Sequence, residues 1–298
     1  MFRILVQNLG KIFKQNQNML GCLTPTPIFL KKNKIRVFFS IIDKKKIGRI
    51  YFIDVDSSNP KKILYKSKKP ILNLGKKNTF DSNGMILGDV ICMKEKYYLY
   101  YVGFKKIENN MFQAYSGLAI SKDCENFKKY IGKPIIKNES KYYFQVLHSY
   151  LKDKKFYYFV SCGSSFKKIK KKIYPVYDTY LYSSKNGFKF NNKTTLNLKK
   201  KSEHRLGRAR AIKINNFYFL FFSASNIKNE YYSEYAVSKN IKQWSRYNFV
   251  FERKFKKLNK FKFIYPAPIM VSKKEILCFY NLGKLGQGGI GVSKIKLF

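Results

Sequence analysis

The sequence predicts an all-β protein, a five-bladed β-propeller with four-stranded antiparallel blades, and three observations predict it. Five short aromatic runs rich in β-formers recur along the 298 residues. A segment of small residues built around a serine follows, at Ser121, Ser184, Ser238 and Ser293, spaced by about 55 to 63 residues. A further strand-like segment precedes each aromatic run. Four strands per unit and five units per chain is the arithmetic of a propeller.

Residues 1–20 are polar overall and read as a frayed N-terminal extension to a single domain spanning 21–298. The first unit holds strand candidates at 27–30, 35–39 and 50–55, and the second at 89–92, 97–102 and 117–123, with Phe127 beyond. The third has 146–149, 156–160 and 181–188; the fourth has 209–212, 217–222 and 235–240, with Trp244 beyond. The fifth has 268–271, 276–280 and 289–294. The aromatic runs do not alternate apolar with polar, so both faces are expected to be buried, as in blades stacked face to face. The competing architecture is a large irregular β-sandwich. No Pro/Gly/Ser linker divides the chain.

Composition excludes several classes. Aromatic residues make up 17% of the chain, which argues against disorder. No apolar stretch approaches the roughly 18 residues of a membrane-spanning helix, and the N-terminus lacks the apolar core of a signal peptide. Cys22, Cys92, Cys124, Cys162 and Cys278 are scattered and never in C-x-x-C spacing. They suit reduced thiols, so the expected location is cytoplasmic. With two histidines, no multi-histidine metal centre is expected, and no cofactor motif is present. Gly286-Gln287-Gly288-Gly289-Ile290-Gly291 lacks the strand–turn–helix setting of a dinucleotide loop and reads as a tight turn.

Formal net charge is +44. Lysine is spread along the whole length, which fits a compositional bias as well as a function. Lys44-Lys45-Lys46, Lys167-Lys168 with Lys170-Lys171-Lys172, and Lys199-Lys200-Lys201 form short basic clusters. They predict generic polyanion affinity at low salt. No RNA-binding signature accompanies them, so specific nucleic-acid recognition is not expected.

A more specific pattern lies in the order of motifs. Phe80-Asp81-Ser82-Asn83-Gly84-Met85 precedes an aromatic strand, then Gly117-Leu118-Ala119-Ile120-Ser121-Lys122-Asp123 with Phe127, then Lys133-Pro134-Ile135-Ile136. Arg208-Ala209-Arg210, Tyr265-Pro266, and Tyr280-Asn281-Leu282-Gly283 leading to Gly288-Gly289-Ile290-Gly291 follow. Over about residues 22–298 the series resembles the five-bladed propeller glycosidases (arabinanases, β-xylosidases, invertases, levansucrases). It looks still more like glycosidase-like proteins of surface-polysaccharide gene clusters.

The resemblance implies an axial pocket and a carbohydrate ligand. It further implies glycoside hydrolysis or glycosyl transfer in surface-polysaccharide metabolism, by a general acid and a base or nucleophile that are both carboxyl groups. Asp81 and Glu203 are the expected pair; the alternative for Asp81 is a turn cap through Asn83-Gly84. His148 is the third catalytic candidate, its alternative being an ordinary inner-strand histidine. Asp89 is expected to face the pocket. Arg205, Arg208 and Arg210, clustered beside His204, offer planar forks for an anionic sugar or sugar phosphate, or are solvated charge. Tyr265 and Asn281 occupy the family's Tyr-Pro and Tyr-Asn positions and are expected to bind substrate. Two departures are also kept as substrate-binding candidates. Thr26 stands near where the family usually starts its first blade with an Asp base, and Asp43 follows Ile42 where the family often has Arg-Asp. Gln145 and His148 stand where many relatives have an acid. The incomplete carboxylate set gives the alternative function, a non-catalytic propeller that binds a glycan or sugar phosphate.

Overall fold

A computed structural model describes residues 2–31, 33–108, 111–136, 141–153, 155–169, 171–185, 189–253 and 258–298. Lys170 of the basic cluster, and Asn186, Gly187 and Phe188 of the Ser184 segment, lie outside the described residues. The regular elements of the described chain are β-strands, with a 3-10 turn at Lys284–Gly286.

After β1 (Ile4–Phe13) come four strand groups, antiparallel within each; short parallel pairings at Phe144↔Ala114 and Tyr177↔Arg205 join the second to fourth into one 12-stranded sheet. The first is β2 (Met19–Lys31), β3 (Lys34–Asp43), β4 (Gly48–Asp56) and β5 (Ile63–Lys66). The second is β6 (Met85–Met93), β7 (Lys96–Lys106), β8 (Phe112–Ser121) and β9 (Lys128–Lys129). The third is β10 (Phe144–Lys152), β11 (Phe156–Ile169), β12 (Lys172–Ser184) and β13 (Asn191–Thr195). The fourth is β14 (Glu203–Ile214), β15 (Phe217–Asn226), β16 (Tyr231–Ser238) and β17 (Ser245–Tyr247). After β18 (Val250–Phe251), a fifth group forms from β19 (Phe263–Ser272), β20 (Glu275–Leu282) and β21 (Ile290–Leu297).

The expectation of a frayed N-terminus is corrected. β1 pairs antiparallel with β21 from Ile4↔Leu297 to Phe13↔Ile290 and becomes the next strand of the fifth group. Ile4, Val6 and Ile12 are buried while the residues between them are polar or half-exposed, so the short apolar period outweighs the polar average. The first and last strands of the chain are thereby hydrogen-bonded neighbours.

The segments at Ser121 and Ser238 end their strands in turns, whereas Ser293 lies within a strand, Ile290–Leu297. Ser121 Oγ lies 2.6 Å from Asp123 Oδ1, which also accepts from the backbone N–H of Glu125 and Asn126 at 2.9 and 2.8 Å. Asn240 Oδ1 accepts likewise from Lys242 and Gln243, at 3.0 and 2.9 Å. Each short polar side chain replaces a missing backbone acceptor and turns the third strand of its group toward the fourth. Phe127 and Trp244 then fold back against the sheet.

Apolar clusters lie between successive groups. Phe38 and Phe52 meet Leu87 and Leu99; Tyr100 meets Tyr158 and Val160; Phe159 meets Leu220 and Phe222. Phe219 and Phe221 meet Phe263 and Tyr280, and Phe279 and Val292 meet Val37 and Phe39. Alternate residues of one run therefore serve opposite neighbours, which explains runs without polar alternation. Burying each such side chain contributes about 1.5–3 kcal/mol.

The first strands β2, β6, β10, β14 and β19 lie against one another in sequence, and β19 returns to β2. Each carries a break in register at the same level: between Leu23 and Thr26, Leu87 and Asp89, Leu147 and Ser149, Gly207 and Arg210, and Ile264 and Ala267. Such bulges re-aim side chains and free backbone donors. A polar side chain of the preceding group takes up each freed N–H. Ser40 Oγ accepts from Leu87 at 2.8 Å, Ser116 Oγ from Leu147 at 2.7 Å and Ser149 Oγ from Ala211 at 3.0 Å. Ser223 Oγ accepts from Tyr265 at 2.9 Å, and Asn281 Oδ1 from Thr24 at 3.1 Å.

Candidate functional site

The bulges turn Thr24, His148, Arg208 and Tyr265 toward a common cavity of about 220 Å³ bounded by residues of every group. Thr24, Arg208 and Tyr265 hold left-handed backbone, at φ 60, 56 and 53. For non-glycine residues this costs about 1–3 kcal/mol each and recurs at functional sites. One wall is apolar, made by Phe104, Phe112, Phe144 and Val146; the other is made by Tyr177, Tyr231, Tyr265 and Arg205.

Arg208 crosses the axis. Its Nη1 donates to the carbonyls of Leu87 and Gly88 at 2.8 and 2.9 Å, and its Nη2 to Thr24 O and Thr26 Oγ1 at 3.1 and 3.0 Å. One side chain of β14 thus ties β2 to β6. Burial, with Arg210 nearby, pulls its guanidinium down to about 9.

His148 sits in a hydrogen-bond chain that fixes its tautomer. Thr179 Oγ1 donates to Leu206 O at 2.9 Å and is 3.2 Å from Ser161 Oγ, which is 3.0 Å from His148 Nε2. With the Thr179 proton committed, Ser161 donates to Thr179 and accepts from His148 Nε2–H. That leaves Nδ1 as a buried lone pair without a partner. Burial and then Arg208 hold the ring well below its ordinary value, so it is neutral. Gly207 allows this packing: a Cβ there would lie 2.8 Å from the Tyr177 ring and 2.9 Å from Ser161 Oγ. Burial pushes Tyr177 and Tyr231 above the ordinary tyrosine range and Tyr265 up to about 12, and hydrogen bonds link Tyr231 to both of the others.

Of the residues assigned from sequence, His148, Arg208 and Tyr265 line the cavity, and Thr26 and Asn281 stand behind it as supports for Arg208 and Thr24. The expected carboxyl pair is corrected: neither Asp81 nor Glu203 lines it. Asp81 is buried beside the interface of groups one and two, accepting from Thr79 Oγ1, Tyr101 Oη and Lys129 Nζ at 2.9, 3.1 and 2.6 Å. Glu203 accepts from Arg246 Nη2 at 2.6 Å, from the Lys200 N–H at 2.8 Å, and from Tyr232 Oη. Burial pushes the Glu203 carboxyl up, but Arg246 and Tyr232 outweigh it and hold it below the ordinary value.

Asp89 and Arg210 also leave the cavity wall. They form a buried ion pair, with Asp89 Oδ2 accepting from the Tyr150 N–H at 2.8 Å. Asp43 caps the β3–β4 turn, accepting from Ile47 N at 2.9 Å and Arg49 at 2.8 Å, and faces a separate outer groove of about 440 Å³. In each case a carboxylate with neighbouring donors is satisfied away from the axis. The sequence places Arg205 only as a member of the arginine cluster, and it does not point to Tyr177, Tyr231 or the aromatic wall. The tyrosines, on β12 and β16, carry no signal in the sequence.

Comparison with known proteins fits this architecture. The "Uncharacterized protein Rv1502" of Mycobacterium tuberculosis is 25% identical over 134 residues, covering 44% of this chain and 45% of that protein, so the match spans less than half of its length. In fold, the chain superposes on the α-L-arabinofuranosidase PaAbf62A from Podospora anserina with TM-score 0.64 at 11% identity, over 100% of this chain and 97% of that one. Sucrose-6-phosphate hydrolase from Lactobacillus gasseri gives TM-score 0.69 at 11% identity, over 97% and 60%. At these identities the likeness is one of fold. The sequence profile described as the Glycosyl hydrolases family 32 N-terminal domain matches residues 26–278, and the chain belongs to that family.

Proposed function

We propose that the chain is a carbohydrate-active protein whose five strand groups are four-stranded blades of one propeller, and whose axial cavity receives a carbohydrate or sugar phosphate. Family membership supports the carbohydrate-active reading. The cycle of first strands, with one side-chain link per junction, supports the blade count. An aromatic wall facing a polar one suits a sugar, with an apolar ring face and hydroxyl edges.

The observation that carries the reading of the chemistry is the cavity lining: among the described residues it contains no Asp or Glu. Hydrolysis by the usual route needs two carboxyl groups flanking the scissile bond. This cavity offers donors, a neutral histidine lone pair and two arginines, which favours capture of the ligand over cleavage by a carboxylate pair. Free thiols, four buried and Cys92 exposed, are compatible with the cytoplasmic setting we propose, in surface-polysaccharide metabolism. The basic surface adds polyanion affinity that declines with salt.

The test is a panel of neutral and charged mono- and disaccharides, read by calorimetry and product analysis, on the wild type and Val146→Phe. The larger side chain grows into the cavity. Binding lost in that variant, with its fold retained by circular dichroism, is the expected result. Sugar binding that ignores the substitution would refute the axial site, and turnover in the wild type would replace capture with catalysis.

A further inference from the structure

We propose that the tyrosine side of the axial cavity is an anion subsite, centred on Arg205, that holds the phosphate or carboxylate group of a sugar ligand. The inference rests on the reading of the axial cavity as the carbohydrate site and names the chemistry of its occupant.

Arg205 lines the cavity yet is only 6% exposed. Its guanidinium lies 4.7 Å from the Tyr231 ring centroid and 5.3 Å from that of Tyr174, which fixes its plane. Nη2 donates to Asn229 Oδ1, and Nε is buried with no partner. Lys284 Nζ sits over the same two rings, at 5.6 and 5.9 Å, and donates to Asn229 O at 3.3 Å. Arg208 supplies a second buried guanidinium, whose acceptors are all neutral oxygens.

Among the described residues, neither Arg205 nor Arg208 has a carboxylate partner. The other buried or nearly buried arginines do. Arg36 pairs with Asp54 at 2.7 Å, Arg246 with Glu203 at 2.6 Å, and Arg210 with Asp89. A buried charge without a counter-ion is costly, so this one cavity holds positive potential that a ligand can neutralise. A planar guanidinium whose Nε is unpartnered matches a carboxylate or phosphate edge. The cavity is smaller than the roughly 300–1,000 Å³ of drug-sized sites, so the occupant is small, and the apolar wall opposite takes its sugar face. A polyanion backbone would instead use the outer lysines.

The experiment is calorimetry of the full chain in 0.15 M salt with inorganic phosphate, glucose 6-phosphate, glucuronate and glucose. The variants are Arg205→Gln, Arg205→Lys and the outer-surface control Lys44→Gln/Lys45→Gln. At least one anionic sugar is expected to bind tenfold or more tighter than glucose. That gain should fall at least tenfold in Arg205→Gln, fall less in Arg205→Lys, which keeps the charge without the fork, and be unchanged in the control. Tighter binding of glucose 6-phosphate identifies a phosphate, and of glucuronate a carboxylate. Two results overturn the subsite: anionic sugars that bind no tighter than glucose, or equal weakening in Arg205→Gln and the surface control. If glucose still binds and Val146→Phe abolishes it, the axial site stands without the anion subsite. Anionic binding that survives Val146→Phe overturns both.

Discussion

Arg205 and Arg246 are both buried arginines of the fourth strand group, each stacked on an aromatic ring, and they keep opposite company. Arg246 lies 4.9 Å from the Phe222 ring, with Glu203 at 2.6 Å and Glu234 on its other edge. Arg205 lies 4.7 Å from the Tyr231 ring with an asparagine and a vacant Nε. Similar side chains thus do different work in one group. Where donors and carboxylates meet between strands, the charge is spent on holding the fold. Where a guanidinium faces the cavity alone, its charge is left for a ligand. A buried charged residue therefore has to be read with its partners before it is given a role.

The largest effect should come from breaking the satisfied side. Glu203→Ala leaves Arg246 with Glu234 as its remaining carboxylate and strips the acceptor from Tyr232, and a loss of about 3–5 kcal/mol is expected in urea unfolding. A loss below about 1 kcal/mol would dissolve the contrast. Next comes Arg208→Met, which strips donors from Leu87, Gly88 and Thr24 but also removes an uncompensated charge; about 1–3 kcal/mol is expected.

Acid should sharpen the comparison further. Burial, with Arg205 adjacent, pulls His204 down to about 4, against about 6.5 in the unfolded chain. Between those values the unfolded state takes up a proton that the folded state refuses. Stability therefore falls as pH drops from about 6.5 toward about 4, and His204→Phe should flatten that limb in calorimetric scans. Glu203 acts lower: its depressed carboxyl stabilises the fold above about 4.3, and that stability is lost as pH falls through its folded value.

A smaller change is expected from Asp123→Ala, which removes a turn acceptor, at about 1 kcal/mol by thermal unfolding. The smallest is Arg205→Gln, within about 1 kcal/mol of wild type or more stable, because it removes a charge that nothing in the described fold neutralises. A large loss there would make Arg205 a structural residue like Arg246.

The strand order was legible because local chemistry carries it. The runs at 97–102 and 217–222 lie within strands, and the serine segments at Ser121 and Ser238 form side-chain-capped turns. β1 was missed because three buried residues among polar ones are a weak signal until β21 lies beside them. That His148, Arg208 and Tyr265 share a cavity was legible because the first strands that carry them have recognisable motifs. Asp81 and Glu203 were misplaced because sequence shows an acid but not the donors that reach it, and Lys129, Tyr232 and Arg246 reach them from other strands.

By itself, the sequence determined the repeated strands, the turns between them and the family pattern, since hydrophobic patterning and turn-forming side chains act over a few residues. Only the tertiary structure decided which charges are spent and which are free. That depends on atoms brought within hydrogen-bonding distance from far along the chain, as Arg208 meets Thr24 and Asn281 meets the same residue from the other end. Electrostatic roles inside a protein are set by such contacts and by burial, and neither is local in sequence.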